Sequence, residues 1–442
     1  MRKDALVTGL ALFAMFFGAG NLIFPPFLGM ESGELWPVGF ACFLLIDVVL
    51  ACVGIFALNA AGGANAAIEG TLGRVPGLVM NTAAIMCTGV LIATPRTAAT
   101  TYEMAVVPLF GDGMGLLPFS FLFFALALAL TFRRSRVVDI IGKVLTPLLV
   151  LGIVVLVVAG LANPIGDVGP ALSEHVAQDG ILAGYQAMDI IACVGFAIVV
   201  QDAIQADGYR TRRSQMQVMA VASCVAGVLL ALIYGGLTYL GAMTGTSFGP
   251  SLNQAQLIVG ITQALMGDAG VLVLGVVVGL ACLTTAIGLT GATASYFERI
   301  TRGRLPYRAG VLIVIGSGLL ICNLGLESII SLATPILSVV CPPFMTTVVL
   351  ILFLRRIHTT WAYKGAALGA LAASLVIVAH DTFGLAPFVA SLPLYDYGFS
   401  WLPFAVLGGL VGWLAAKPAG RARDLVDAPV ERVLEEEGSP IG

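Results

Sequence analysis

The residues with chemistry to offer are few, and each interrupts an apolar run. Gly18-Ala19-Gly20-Asn21, followed by Pro25-Pro26, places helix-weakening backbone in the middle of a hydrophobic stretch. Glycine lowers helix stability, asparagine competes for local backbone bonds, and proline removes a donor. Unwound backbone at bilayer depth survives only where it lines a cavity or is buried in protein. Two readings fit the glycines: a ligand site on freed backbone groups, or a notch that lets a neighbouring helix approach closely. Asn21 at the centre weighs toward the ligand site.

Other polar residues sit in similar isolation. Gly184-Tyr185-Gln186-Ala187-Met188-Asp189 leads into Gly195-Phe196, which puts the carboxylate of Asp189 and a break expected at Gly195 inside one apolar run. Cys282 to Gly291 carries Thr284, Thr285 and Thr290. Uncharged oxygens of this kind suit a monovalent cation, because hard divalent ions usually recruit carboxylates. The same hydroxyls equally suit bonds to the carbonyl one turn earlier. In Ala93-Thr94-Pro95-Arg96-Thr97-Ala98 the proline implies a kink. Arg96 is costly at membrane depth, and Glu103, seven residues on, would share its helix face. A buried pair with Glu103, a grip on carbonyls freed at the kink, a gate and a partner for a substrate carboxylate all remain open for Arg96. Asp47 is a further intramembrane acid, for which a bond to a neighbouring helix is sufficient reason.

Membrane helices must position these groups. The 442 residues are 59 % hydrophobic and 11 % charged, with a mean hydropathy of +1.00. Soluble chains carry about 25 % charged residues. Apolar runs predict twelve spans near 5–29, 36–58, 77–107, 115–132, 139–162, 184–204, 217–243, 270–297, 309–323, 328–353, 362–380 and 400–416. The N-terminal run shows no small-residue cleavage site and reads as the first span rather than a signal peptide. With the N-terminus in the cytoplasm, every one of the 22 basic residues except Arg96 falls in a cytoplasmic segment. The outer loops carry acids such as Glu31, Glu34, Asp167, Glu174 and Asp179. This satisfies the positive-inside rule and predicts both termini inside. The stretch from Lys417 to Gly442 reads as a short solvated helix or a disordered end.

Several function classes lack their signatures. The eight cysteines lie in apolar runs without C-x-x-C spacing, and the three histidines are scattered singly. H-E-x-x-H does not occur and no metal-spaced His/Cys set is present, so a membrane enzyme is disfavoured. An ion channel is disfavoured by the asymmetric single chain without a filter loop. The expected partners are membrane lipids and a small molecule, with no nucleic acid. Breaks in the first and sixth spans, an offset of five, are the pointer to a transporter with inverted repeats.

The motifs together resemble the bacterial branched-chain amino acid carriers, the BrnQ-type LIVCS family. The resemblance rests on Gly18-Ala19-Gly20-Asn21-Leu22-Ile23-Phe24-Pro25-Pro26, Ala93 to Ala98, Met188-Asp189, Cys282 to Thr290, Asn323-Leu324-Gly325-Leu326 and Pro342-Pro343. In matching order these run from about residue 5 to 415. The resemblance implies an all-α integral membrane protein with a LeuT-like five-plus-five inverted repeat and two extra helices. The repeats would occupy 1–165 and 180–355, with helices 11 and 12 in 360–416 and a cytoplasmic tail in 417–442. It implies symport of leucine, isoleucine and valine across the bacterial cytoplasmic membrane. The substrate residues carried over are Phe17, Gly18, Ala19, Gly20 and Asn21, with Gly195 and Phe196 opposite. Carbonyls of Ala14 and Phe17 with Thr284 and Thr285 would hold a sodium ion, the only cofactor expected. Arg96, Glu103 and Asp189 are the gate or coupling candidates. Proton coupling through Asp189, Asp47 or Glu103 stays open, as does another neutral amino acid as substrate.

Overall fold

A computed structural model describes residues 2–132, 146–244, 248, 252–354, 356–357 and 359–415. The expected tail and the basic residues Arg133, Arg134, Arg136, Lys143 and Arg355 lie outside the described residues. Among the described residues, seven helical stretches are long and apolar enough to cross a membrane, and five further apolar helices are shorter. Together they make the twelve expected spans. The stretch Ala19–Ala60 holds the second half of the first passage and the whole of the second, separated by a single 3-10 turn at Gly33–Leu35.

The first span is two helices, Arg2–Phe16 and Ala19–Ser32. Gly18 stands between them with extended backbone (φ −118°, ψ −170°). A helix that stops leaves its last carbonyls without intrahelical donors. Here Phe17 N–H recovers only the carbonyl of Phe13, at 2.9 Å. Pro25 and Pro26 lie in the middle of the second half.

The sixth span is also broken, as Val176–Ala187 and Asp189–Ala206. The break falls at Met188, which adopts the left-handed conformation (φ 70°, ψ 10°). Gly195, where the break was expected, lies within the continuous second half. The reason is that a nearby acid and a base satisfy the open ends at Met188. Asp189 N–H donates to Asp47 Oδ1 at 3.4 Å, so a carboxyl faces the N-terminus of the second half. Arg96 Nη1 donates to the Gln186 carbonyl at 2.6 Å and caps the end of the first half. A non-glycine residue in this conformation costs of order 1–3 kcal/mol and persists only when its surroundings dictate it.

Short π-helical turns displace the polar residues of two other spans. One, Leu45–Val49, carries Asp47, and another, Tyr102–Val106, carries Glu103. The helix Gln254–Ile300 opens with a capping box between Asn253 and Gln256 and is interrupted at Gly267 (φ 63°), ahead of the eighth span that it contains. The last two spans, Thr360–Phe383 and Leu402–Ala415, touch through glycines. A Cβ on Gly365 or Gly369 would strike the backbone of Gly408 or Phe404. Small residues four apart on both helices permit that close approach in lipid.

Candidate functional site

The two breaks meet around a small cavity of about 30 Å³ in the bundle. The first span lines it with Met15, Phe16 and Gly18 to Asn21, and the third with Thr88, Ala93, Arg96 and Thr97. The sixth contributes Ala187, Met188, Asp189, Ala192 and Phe196, and the eighth Thr285 and Leu289. Phe16 and Phe196 close one side edge to face, with ring centroids 5.2 Å apart. The cavity thus combines an apolar wall with helix ends and a few polar side chains.

Asn21 organises its polar side. Its Nδ2 is 2.8 Å from Asp189 Oδ2, 3.2 Å from Asp47 Oδ2 and 2.5 Å from the Tyr234 hydroxyl. All four residues are buried. One amide therefore gathers oxygens from the second, sixth and seventh spans at the break of the first. Asp47, read from the sequence as a bond to a neighbouring helix, makes two such bonds, one to Asn21 and one to the Asp189 backbone.

Other expected residues are placed differently. Phe17 does not line the cavity; its ring stacks between Phe13 (5.6 Å) and Tyr234 (5.8 Å). Phe16, the last residue of the first half-helix, lines the cavity in the place expected of Phe17. Gly195 is likewise absent from the lining, whereas Phe196 is present. Glu103 accepts from Asn253 Nδ2 at 3.0 Å, so it serves the start of the helix Gln254–Ile300 and not Arg96. The π-helical turn beginning at Tyr102 shifts it off the face that regular helical spacing predicts.

The two threonines of the eighth span differ. Thr284 Oγ1 donates to the Ala281 carbonyl at 2.8 Å, the local bond open to any membrane threonine. Thr285 Oγ1 is buried without a partner. It faces the first-span break, 3.3 Å from where a Cβ on Gly18 would stand. Tyr234 and Phe16 escaped the sequence reading. A tyrosine in the middle of an apolar run was the available signal for the first, since buried tyrosine hydroxyls seek partners. Asp189 as an acid in a first helical turn was the signal for the true break.

Comparison with known proteins adds the remaining observation. Residues 1–418 match the family model described as branched-chain amino acid transport protein. The chain belongs to that family. This carrier is 34 % identical over 430 residues to the branched-chain amino acid transport system 3 carrier protein of Pseudomonas aeruginosa, covering 94 % of this chain and 98 % of that one. It is 32 % identical over 428 residues to the branched-chain amino acid permease BrnQ of Salmonella typhimurium, covering 95 % and 97 %. Among solved structures, the carrier is similar to Mhp1, a nucleobase-cation-symport-1 family transporter captured closed with bromovinylhydantoin bound. The TM-score is 0.60 at 16 % identity, covering 96 % of each chain. The carrier has the LeuT-like fold, and it is a transporter of branched-chain amino acids rather than an enzyme.

Proposed function

We propose that this carrier imports leucine, isoleucine and valine by symport with sodium, across a bacterial cytoplasmic membrane and with both termini inside. The observation that carries the reading is the cavity where the broken first and sixth spans meet, with the unpartnered Thr285 hydroxyl at its edge. In this reading residues 1–165 and 180–355 are the inverted repeats, and the two breaks are corresponding positions in them. Gly18, Ala19, Gly20 and Asn21 face the amino-acid backbone, and Phe16 and Phe196 face its aliphatic side chain.

Sodium has a fitting donor set beside the cavity. The hydroxyl of Thr285 lacks a partner, and that of Thr284 keeps lone pairs after donating to Ala281. Carbonyls of Ala14 and Phe17 at the end of the first half-helix complete the proposed set. When bound, the ion supplies positive charge beside the substrate and couples uptake to its own gradient. Among the described residues no group of three or more His, Cys, Asp or Glu could hold another kind of metal ion. Thr285→Ala is expected to raise the sodium concentration for half-maximal leucine uptake in proteoliposomes by about tenfold, the scale of one lost ligand to a charge.

One observation favours a second reading, proton coupling: Asp47 and Asp189 are buried and share the Asn21 amide. Imposed gradients separate the two. Leucine accumulation under a sodium gradient without a pH gradient supports sodium. Full uptake in choline buffer driven by a pH gradient alone, lost in Asp189→Asn and kept in Thr285→Ala, overturns it. The side-chain end of the cavity sets specificity. A missing methylene there costs about 1–3 kcal/mol, so leucine, isoleucine and valine should compete with overlapping affinities. An additional charge lacks a partner among Phe16, Phe196, Ala192 and Leu289. Lysine or glutamate competing as well as valine would show the pocket to be something else.

A further inference from the structure

Arg96 is the largest charge at the cavity, and the protein leaves it incompletely answered. Its side chain is 3 % exposed. Nη1 donates to the Gln186 carbonyl, the guanidinium carbon lies 5.4 Å from the centroid of the Phe24 ring, and Nε is buried with no partner. No ion pair to a carboxylate is formed by it among the described residues. The nearby acids Asp47 and Asp189 are held instead by Asn21. A buried cation without an ionic partner is unfavourable in a membrane bundle, and arginine's planar fork is suited to a carboxylate.

Arg96 stands at the end of the cavity where an anion is also favoured by the backbone. Nη2 is 2.6 Å from the position a Cβ would take on Gly20, in the first turn of Ala19–Ser32. The first N–H groups of a helix point outward without intrahelical acceptors and favour negative charge. The helix end and the guanidinium therefore converge on one region of the cavity wall, and both ask for the same kind of group.

We propose that Arg96 binds the α-carboxylate of the transported amino acid, so that the carrier recognises its substrate through a fixed intramembrane arginine as well as through helix ends. This rests on the reading that the cavity holds a branched-chain amino acid. The ligand class follows from the chemistry: a small aliphatic molecule with one carboxylate. The capping bond from Nη1 to Gln186 continues beneath it, which ties substrate binding to the break of the sixth span.

The test compares leucine with leucinol, which keeps the ammonium and side chain but replaces the carboxylate by an alcohol. Affinities are measured by calorimetry on the purified full-length carrier. In the wild type leucine is expected to bind at least about 30-fold tighter than leucinol, the scale of a truncated buried charge pair. Arg96→Met should bring the two within about threefold, leucine losing its carboxylate partner on top of any loss both ligands share when the cap on Gln186 is removed. Arg96→Lys keeps the charge without the fork and should narrow the leucine-to-leucinol ratio by about tenfold. A purely structural arginine would weaken both ligands equally in either variant, and that result overturns the proposal. So does an unchanged leucine-to-leucinol ratio, and the lysine variant decides the matter if the methionine variant does not fold. Wild-type protein that binds neither leucine nor valine would instead remove the substrate reading on which the proposal stands.

Discussion

Asn21→Ala is expected to abolish leucine uptake, with initial rates in proteoliposomes reduced more than about 100-fold, while the protein still inserts and purifies as a folded monodisperse species. The side chain is 1 % exposed and its amide bonds Asp47, Asp189 and Tyr234 from three other spans. Alanine removes the shared amide donor from these buried oxygens. Each unmade bond to a charged group is worth about 1.5–3 kcal/mol, and two such losses at the first-span break amount to 100-fold or more. The loss should appear in transport more than in assembly, because the surrounding apolar contacts of Phe17, Phe43 and Tyr234 are untouched. Normal uptake by this variant would show that the first-span break is only a packing notch.

Gly20→Leu should be as severe, by a different route. A Cβ at this position would lie 2.6 Å from Arg96 Nη2 and 3.3 Å from the Ala187 backbone. The arginine can shift, but the Ala187 backbone belongs to the capped end of a helix and yields less readily. Overpacking alone costs about 1–3 kcal/mol, and the rest of the leucine side chain would occupy the cavity itself. Substrate binding should fall below detection, whereas Gly20→Ala, which adds only the Cβ that Arg96 and, by a few tenths of an ångström, the Ala187 backbone must accommodate, should keep measurable uptake with reduced affinity. A Gly20→Leu variant that binds leucine as the wild type does would place the substrate elsewhere in the bundle.

Much of this was legible in the sequence because a bilayer reduces the choices. Apolar length sets where the chain can cross, and where the chain is described each expected passage falls on helix, although the helices of the sixth and eighth begin well before the expected starts, at Val176 and Gln254. The first-span break was readable for the same reason. Gly18, Gly20, Asn21, Pro25 and Pro26 are poor helix residues, and no local preference masks them. The family was legible in the order of the motifs, as the match over residues 1–418 shows.

Residue-level placement depended on tertiary structure. Met188 carries no local signal for a left-handed conformation. It adopts one because Asp47 from the second span and Arg96 from the third answer the backbone groups exposed on either side. Gly195, with the better local propensity for a break, finds no such partners and stays helical. The exchange of Asn253 for Arg96 as the partner of Glu103 has a related origin. A π-helical turn resets the rotation of the helix, so the 3.6-residue period no longer reports which side chains share a face. Sequence determined that the chain crosses a membrane twelve times and breaks in two of those crossings. Which side chains meet at the breaks was decided by contacts between spans far apart in the chain, since a buried polar group is stable only where another span brings it a partner.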